Sequence, residues 1–140
     1  MGIYKGPVET VDKSPSEVYD FLADFRHFEK FLPEQISEWE AGDDYCQFAM
    51  QGLGKVKLAF AVKEPHSKIV VQPAVDSKFP VPFFLSAFIT AYDDNSQKAS
   101  FQFIVEADVN PMIAMMVNKP LQQFVEVISE RLKDYFNNPQ

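Results

Sequence analysis

Apolar positions change period along this chain, and each change marks a new element. Ile3 to Val11 reads as a strand, ended by Asp12 and Lys13. Ser14-Pro15-Ser16-Glu17 then forms a helix start, with Ser14 as N-cap, Pro15 at the first helical position where its missing N–H costs nothing, and Glu17 three residues past the cap to close a capping box. Val18, Phe21, Leu22, Phe25 and Phe28 follow at spacings of three and four, which places them on one helical face. A second short helix is predicted to carry Phe28 and Phe31 before Pro33 stops it, because the residue before a proline is pushed out of the helical region.

From Gln35 the period becomes two. Cys46, Phe48 and Met50 alternate with Tyr45, Gln47 and Gln51. After a turn at Gly52 to Gly54, Val56, Leu58, Phe60 and Val62 alternate with polar neighbours such as Lys55, Lys57 and Lys63. One face of these strands is apolar and the other wet. Residues 68 to 73, centred on Ile69-Val70-Val71, form the next strand, and the aperiodic stretch from Ala74 to Pro82, with two prolines, reads as a loop. Phe83 to Tyr92 is apolar at nearly every position. Asp93-Asp94-Asn95 turns the chain, and Phe101, Phe103, Val105 and Ala107 share a face of the last strand. The predicted order is a strand, two short helices, about six antiparallel strands and a long helix, all in one domain spanning residues 1 to 140.

The final helix opens with Asn110 as cap and Pro111 at the first position. Leu121, Phe124, Val125, Ile128, Leu132 and Tyr135 form its apolar stripe, with Glu126, Glu130, Arg131 and Asp134 outward. Pro120 removes the bond to the Met116 carbonyl and crowds it, so a kink or break is expected near Asn118. Fourteen phenylalanines and the cluster Met112, Met115 and Met116 beside this discontinuity suit either an ordinary core or a deformable cavity lining.

A net charge of −7 argues against nucleic-acid backbones and anionic membrane surfaces, which attract clustered Lys and Arg. No apolar run approaches the ~18 residues of a spanning helix. A lone cysteine, Cys46, leaves no intrachain disulfide, and the opening residues MGIYKGPVET lack an apolar signal-peptide core, so a cytoplasmic protein is expected.

Element order and motifs together resemble the START-like, Bet v 1-like superfamily, also called SRPBCC or helix-grip proteins, in its polyketide cyclase/dehydrase-like branch. The resemblance rests on residues 14 to 25, SPSEVYDFLADF, on the Phe28 to Glu34 segment ending in Leu32-Pro33-Glu34, and on the Asn110-Pro111 entry to the last helix. It implies an α+β helix-grip fold, in which a curved antiparallel sheet of about seven strands holds a long C-terminal helix around an apolar cavity. Members include lipid carriers, hormone and secondary-metabolite binders, cyclases and chaperone co-factors. The chain is much shorter than a full START domain, and Gly52-Leu53-Gly54 is a short hairpin where plant members carry a long Gly-rich loop.

Candidate chemistry is sparse. His27 lies in a short helix and His66 in a turn, and with one cysteine they lack the spacing of a zinc site, so no metal and no cofactor are expected. Cys46 alternates with apolar neighbours and reads as a buried, inert thiol. Asp24, Glu34, Glu106 and Asp108 lie at element ends from which a carboxylate could reach a cavity mouth, but solvated termini are the commoner explanation. Tyr19, Tyr45 and Tyr92 offer hydroxyls to a carbonyl ligand or act as interface aromatics. No nucleophile-elbow, P-loop or dinucleotide fingerprint is present, and no catalytic residue is assigned. The predicted lining of the cavity is Phe48, Met50, Leu58, Phe60, Phe88, Phe103, Met112, Met116 and Phe124. Three functions compete: a binder or carrier of a small hydrophobic molecule (lipid, isoprenoid or polyketide-like), a cyclase or aromatase with a buried acid or tyrosine, and a protein-interaction module. The binder is the leading expectation.

Overall fold

A computed structural model describes residues 2–33, 36–50, 54–77 and 81–137, with the side chains of Met50, Asn95 and Ser96 excepted. Eight strands form one antiparallel sheet: β1 (Gly2–Lys5), β2 (Glu9–Val11), β3 (Ile36–Ala41), β4 (Tyr45–Met50), β5 (Gly54–Glu64), β6 (Lys68–Pro73), β7 (Phe83–Tyr92) and β8 (Asn95–Ala107). Their lateral order is β1-β8-β7-β6-β5-β4-β3, with β2 also paired to β8. The single first strand expected from the sequence is therefore two short ones along the same strand, β1 against residues 104 to 107 and β2 against residues 99 to 101. The interruption is at Gly6-Pro7. Proline has no N–H for the ladder, and Gly6 lets a helix come close, since a Cβ there would lie 2.6 Å from Ser129 Oγ.

Helix α1 (Pro15–Leu22) begins as its sequence dictates. Ser14 Oγ accepts from the Glu17 N–H at 3.1 Å, and the Glu17 carboxylate accepts from the Ser14 N–H at 3.1 Å, closing the capping box. These bonds hold the Glu17 carboxyl below its ordinary pKa, with the backbone bond contributing most. The second helix is a 3₁₀ segment, Phe25–Lys30, capped by Asp24, whose Oδ1 accepts from the Arg26 N–H. Both elements face the core through Val18, Leu22, Phe25 and Phe28, and Phe25 stacks on Phe60 of β5 at 3.9 Å between centroids.

Helix α2 (Pro111–Asn137) runs through Pro120 without the break expected near Asn118. Asn110 caps it, accepting from the Ile113 N–H at 2.8 Å. At 1.5 Å per residue its 27 residues span roughly 40 Å, long enough to cross the sheet. Its second half carries most of the contact with the core: Val125, Ile128, Ser129, Leu132 and Phe136 are buried. The turn at Gly52 and Leu53 and the acid Glu34 lie outside the described residues.

Alternation along the strands divides the sheet into a concave face that packs on the helices and an outer face. Phe101, Phe103, Val105 and Ala107 of β8 point inward, joined by Leu85, Ala87 and Ile89 of β7 and by Phe48, Val56 and Leu58 of β4 and β5. Fold class and, apart from the divided first strand, element order are those the pattern predicts.

Candidate functional site

The cavity lies where the first half of α2 passes over one end of the sheet. Val117, Leu121 and Phe124 come down from the helix, and Phe48, Val56 and Leu58 rise from β4 and β5. Leu85, Val105 and Ala107 form the floor, with Phe83 and Val81 at the start of β7. Its volume is about 60 Å³, and every one of these described side chains is hydrocarbon. Water gains two to four hydrogen bonds only where polar partners exist, so a space lined in this way is dry. A smaller void of about 10 Å³ lies next to it under α1, against Phe103, Leu85 and Phe28.

The register explains why these residues meet. Phe83, Leu85 and Ala87 of β7 pair with Ala107, Val105 and Phe103 of β8, so the inward parity of one strand fixes that of the other. Phe48 pairs with Val56 and Cys46 with Leu58, bringing the apolar sides of β4 and β5 to the same floor. On the helix, Val117, Leu121 and Phe124 follow at spacings of four and three, a single face. Trp39 stacks behind Phe48 at 5.9 Å and backs that wall.

Of the residues anticipated for the lining, Phe48, Leu58 and Phe124 border the cavity, and Phe103 borders the smaller void. Phe60 is partly buried, but it packs on Phe25 and Phe28 away from the cavity, with Lys63 Nζ 4.2 Å from its centroid. Met50 has a described backbone in β4 only. Three placements differ from expectation. Phe88 projects from the outer face of the sheet, where Lys68 lies over its ring, because β7 parity sends Ala87 and Ile89 inward. Met112 and Met116 are 76% and 73% exposed, as is neighbouring Met115 at 86%, because Val117 takes the inward position of that turn. Of the lining members that sequence reasoning did not name, Val56, Val105 and Ala107 share strand parity with Leu58 or Phe103, and Val117 and Leu121 share helix spacing with Phe124, whereas Phe83 and Leu85 have the opposite parity to the anticipated Phe88 and Val81 precedes β7.

The polar groups lie elsewhere. His27 stacks on Phe21 and hydrogen-bonds the Phe21 carbonyl through Nδ1 at 2.8 Å, and His66 sits in an exposed turn with Tyr19 edge-on to its ring. Asp24 is bound by the Arg26 guanidinium, whose hydrogen bonds hold the carboxyl below its ordinary pKa. Glu106 and Asp108 are exposed, and Tyr45 donates to Glu40 at 2.7 Å on the outer side. Burial pushes the Cys46 thiol up to about 12. A polar tether absent from the sequence reading holds the same helix: buried Tyr4 on β1 donates its hydroxyl to Asn118 Oδ1, fastening the first half of α2 to the sheet edge.

Neither a protein-family profile nor a functionally curated protein matches this sequence. Solved structures do. Norcoclaurine synthase from Thalictrum flavum superposes with a TM-score of 0.67 at 15% identity over 94% of this chain and 86% of that one. A START superfamily protein from Mycobacterium smegmatis gives 0.66 at 11% identity, over 96% of each chain. The Aha1 dimer from Colwellia psychrerythraea gives 0.65 at 16%, over 100% of this chain and 99% of that one. Identities this low speak to architecture, and the architecture agrees with the element order and the grip of sheet on helix described above: the chain has the START-like, Bet v 1-like (SRPBCC) helix-grip fold.

Proposed function

We propose that this protein binds or carries a small hydrophobic molecule, of lipid, isoprenoid or polyketide-like character, between the sheet and the first half of α2. The observation that carries the reading is the hydrocarbon lining that the described residues give the cavity. Affinity there comes from removing apolar surface from water, at about 25 cal/mol per Å². A cyclase needs an acid, base or hydroxyl converging on its substrate, and among the described residues none borders this space, which favours binding without turnover.

Size sets the mechanism. Pockets that hold small organic ligands usually measure about 300–1,000 Å³, whereas this space is about 60 Å³. The ligand therefore makes most of its room by displacing a wall. The first half of α2 is the wall least held: Val117 is its one buried side chain, Tyr4 and Asn118 make its polar tether, and Pro120 removes a helical hydrogen bond at its base. In this reading the first part of α2 lifts about Pro120 and carries Val117 away from the cavity, while Leu121 and Phe124 stay behind as the helical wall of the opened space.

Native mass spectrometry of the purified protein, followed by denaturing extraction, tests the proposal. The expected result is a co-purifying apolar small molecule, or saturable uptake of one supplied in solution. Failure to take up any apolar molecule, co-purified or supplied, contradicts it.

A further inference from the structure

Strand β7 reads FFLSAFITAY, apolar throughout on its inward face and, with Phe84, Phe88 and Tyr92 between Ser86 and Thr90, largely aromatic on its outward one, closer to the pattern of strands covered on both sides than to a wet outer face. Its inward residues meet the core. Its outward residues do not: Phe84 is 48% exposed and Phe88 38%, and Ile3, one row across the sheet, is 57% exposed. The register makes these one patch. Ile3 pairs with Glu106, which pairs with Phe84, while Ile104, Ser86, Val70 and Val62 form the next row, and Gln102, Phe88 and Lys68 the row after that. Val70 is buried on this outer side and lies outside the main core cluster, so the patch already has an apolar centre of its own.

We infer that this outer face is a two-fold interface with a second copy of the same chain. Two arguments select that occupant. The first is charge. The chain carries −7, so two copies repel unless they meet where charge balances. Across these rows the described charges are the carboxylates Glu106 and Glu64 and the ammonium groups Lys5 and Lys68, which sum to zero.

The second argument is self-complementarity. A two-fold axis along the Ile104, Ser86, Val70 row exchanges the rows on either side, which lays Phe84 against the second copy's Phe88 and sets β7 antiparallel across its equivalent. Glu106 then faces Gln102, and Lys68 faces Gln72, two residues on from Val70, so no carboxylate meets a carboxylate. Lys5 faces its equivalent only on the edge strand, where water still reaches it. With strands about 4.8 Å apart and same-face rows roughly 7 Å apart, the patch covers on the order of 500 Å² in plan before side-chain relief is counted. That approaches the roughly 800 Å² of accessible surface per partner in a standard interface.

Sedimentation equilibrium over a wide concentration range tests this without reference to any ligand. The wild-type chain is expected to approach twice its 16.0 kDa mass. Phe84→Glu is expected to weaken association at least about tenfold, as loss of a central aromatic does, with unchanged circular dichroism because Phe84 is exposed in the single chain, and with Tm lowered only as far as the lost association accounts for. Phe88→Gln serves as the second variant, and Met115→Glu on α2 is expected to leave the dimer intact. A wild-type mass of 16.0 kDa throughout, or a dimer indifferent to both phenylalanine variants, overturns the inference. A dimer lost on Met115→Glu alone also overturns it, by placing the interface on the helix.

Discussion

The two halves of α2 belong to one unbroken helix and do opposite things. From Leu121 onward the helix is built into the core: Val125, Ile128, Leu132 and Phe136 are buried, and Ser129 Oγ donates to the Val125 carbonyl at 2.6 Å where the helix presses on Gly6. Before Leu121 the helix turns three methionines to solvent and buries Val117 alone. Burial of apolar side chains dominates helical stability in proteins, so the second half is the anchor and the first half the part that costs least to move. The cavity sits at the junction of the two, with Val117 over it from the movable part and Leu121 and Phe124 from the start of the anchor.

The sharpest way to break this comparison is to truncate one side chain in each half. Leu132→Ala should cost about 2–5 kcal/mol, because its site is fully enclosed and cannot collapse. Val117→Ala should cost about 1–2 kcal/mol, the transfer energy of the carbons removed, since its neighbour is already a cavity. Equal losses in chemical denaturation would remove the distinction. Pro120→Ala restores an N–H to the Met116 carbonyl and relieves a residue that disfavours helix interiors by up to about 3 kcal/mol. It should raise Tm while slowing uptake of a hydrophobic fluorophore in stopped flow, whereas a faster uptake would contradict a hinge at this position.

Tyr4→Phe sharpens the contrast by cutting the polar tether to Asn118 and leaving the ring in place. About 1 kcal/mol of stability should be lost, and ligand exchange should accelerate. Cys46 gives the smallest effect. Its thiol is pushed up to about 12 from an ordinary value of 9.0. The unfolded chain therefore loses this proton first as pH rises, so the contribution is complete below about pH 9 and is lost between about 9 and 12. Thiol reagents should label the native protein at pH 8 far more slowly than a denatured control, and equal rates would show that the site opens.

Much of the fold was legible because local signals agreed with the global one. The capping box at Ser14 and Glu17, the cap at Asn110 and the strand residues 68 to 73 stand where their chemistry predicts. Periodicity was weaker at choosing sides. It groups Met112, Met115 and Met116 on one helical face, but Ile113, Val117 and Leu121 form a second apolar face on the same turns, and hydrophobicity alone does not say which one looks inward. Phe88 presents the same difficulty in a strand: with Ala87 and Ile89 also apolar, parity comes only from the pairing with β8. The first strand was misread as continuous because Gly6-Pro7 is compatible with an edge strand, and only the approach of Ser129 shows why it is interrupted.

The most direct test of the central claim is an equilibrium titration of N-phenyl-1-naphthylamine, an uncharged apolar fluorophore, into the wild-type protein and into Leu121→Trp, whose larger ring is placed to fill the space beneath α2. The account predicts saturable binding with one site per chain in the wild type and at least about a tenfold loss of affinity in the variant, roughly 1.4 kcal/mol, with the fold intact by circular dichroism. Binding that the filled cavity leaves unchanged would mean that the fluorophore sits elsewhere and would contradict the assignment of this cavity as the ligand site.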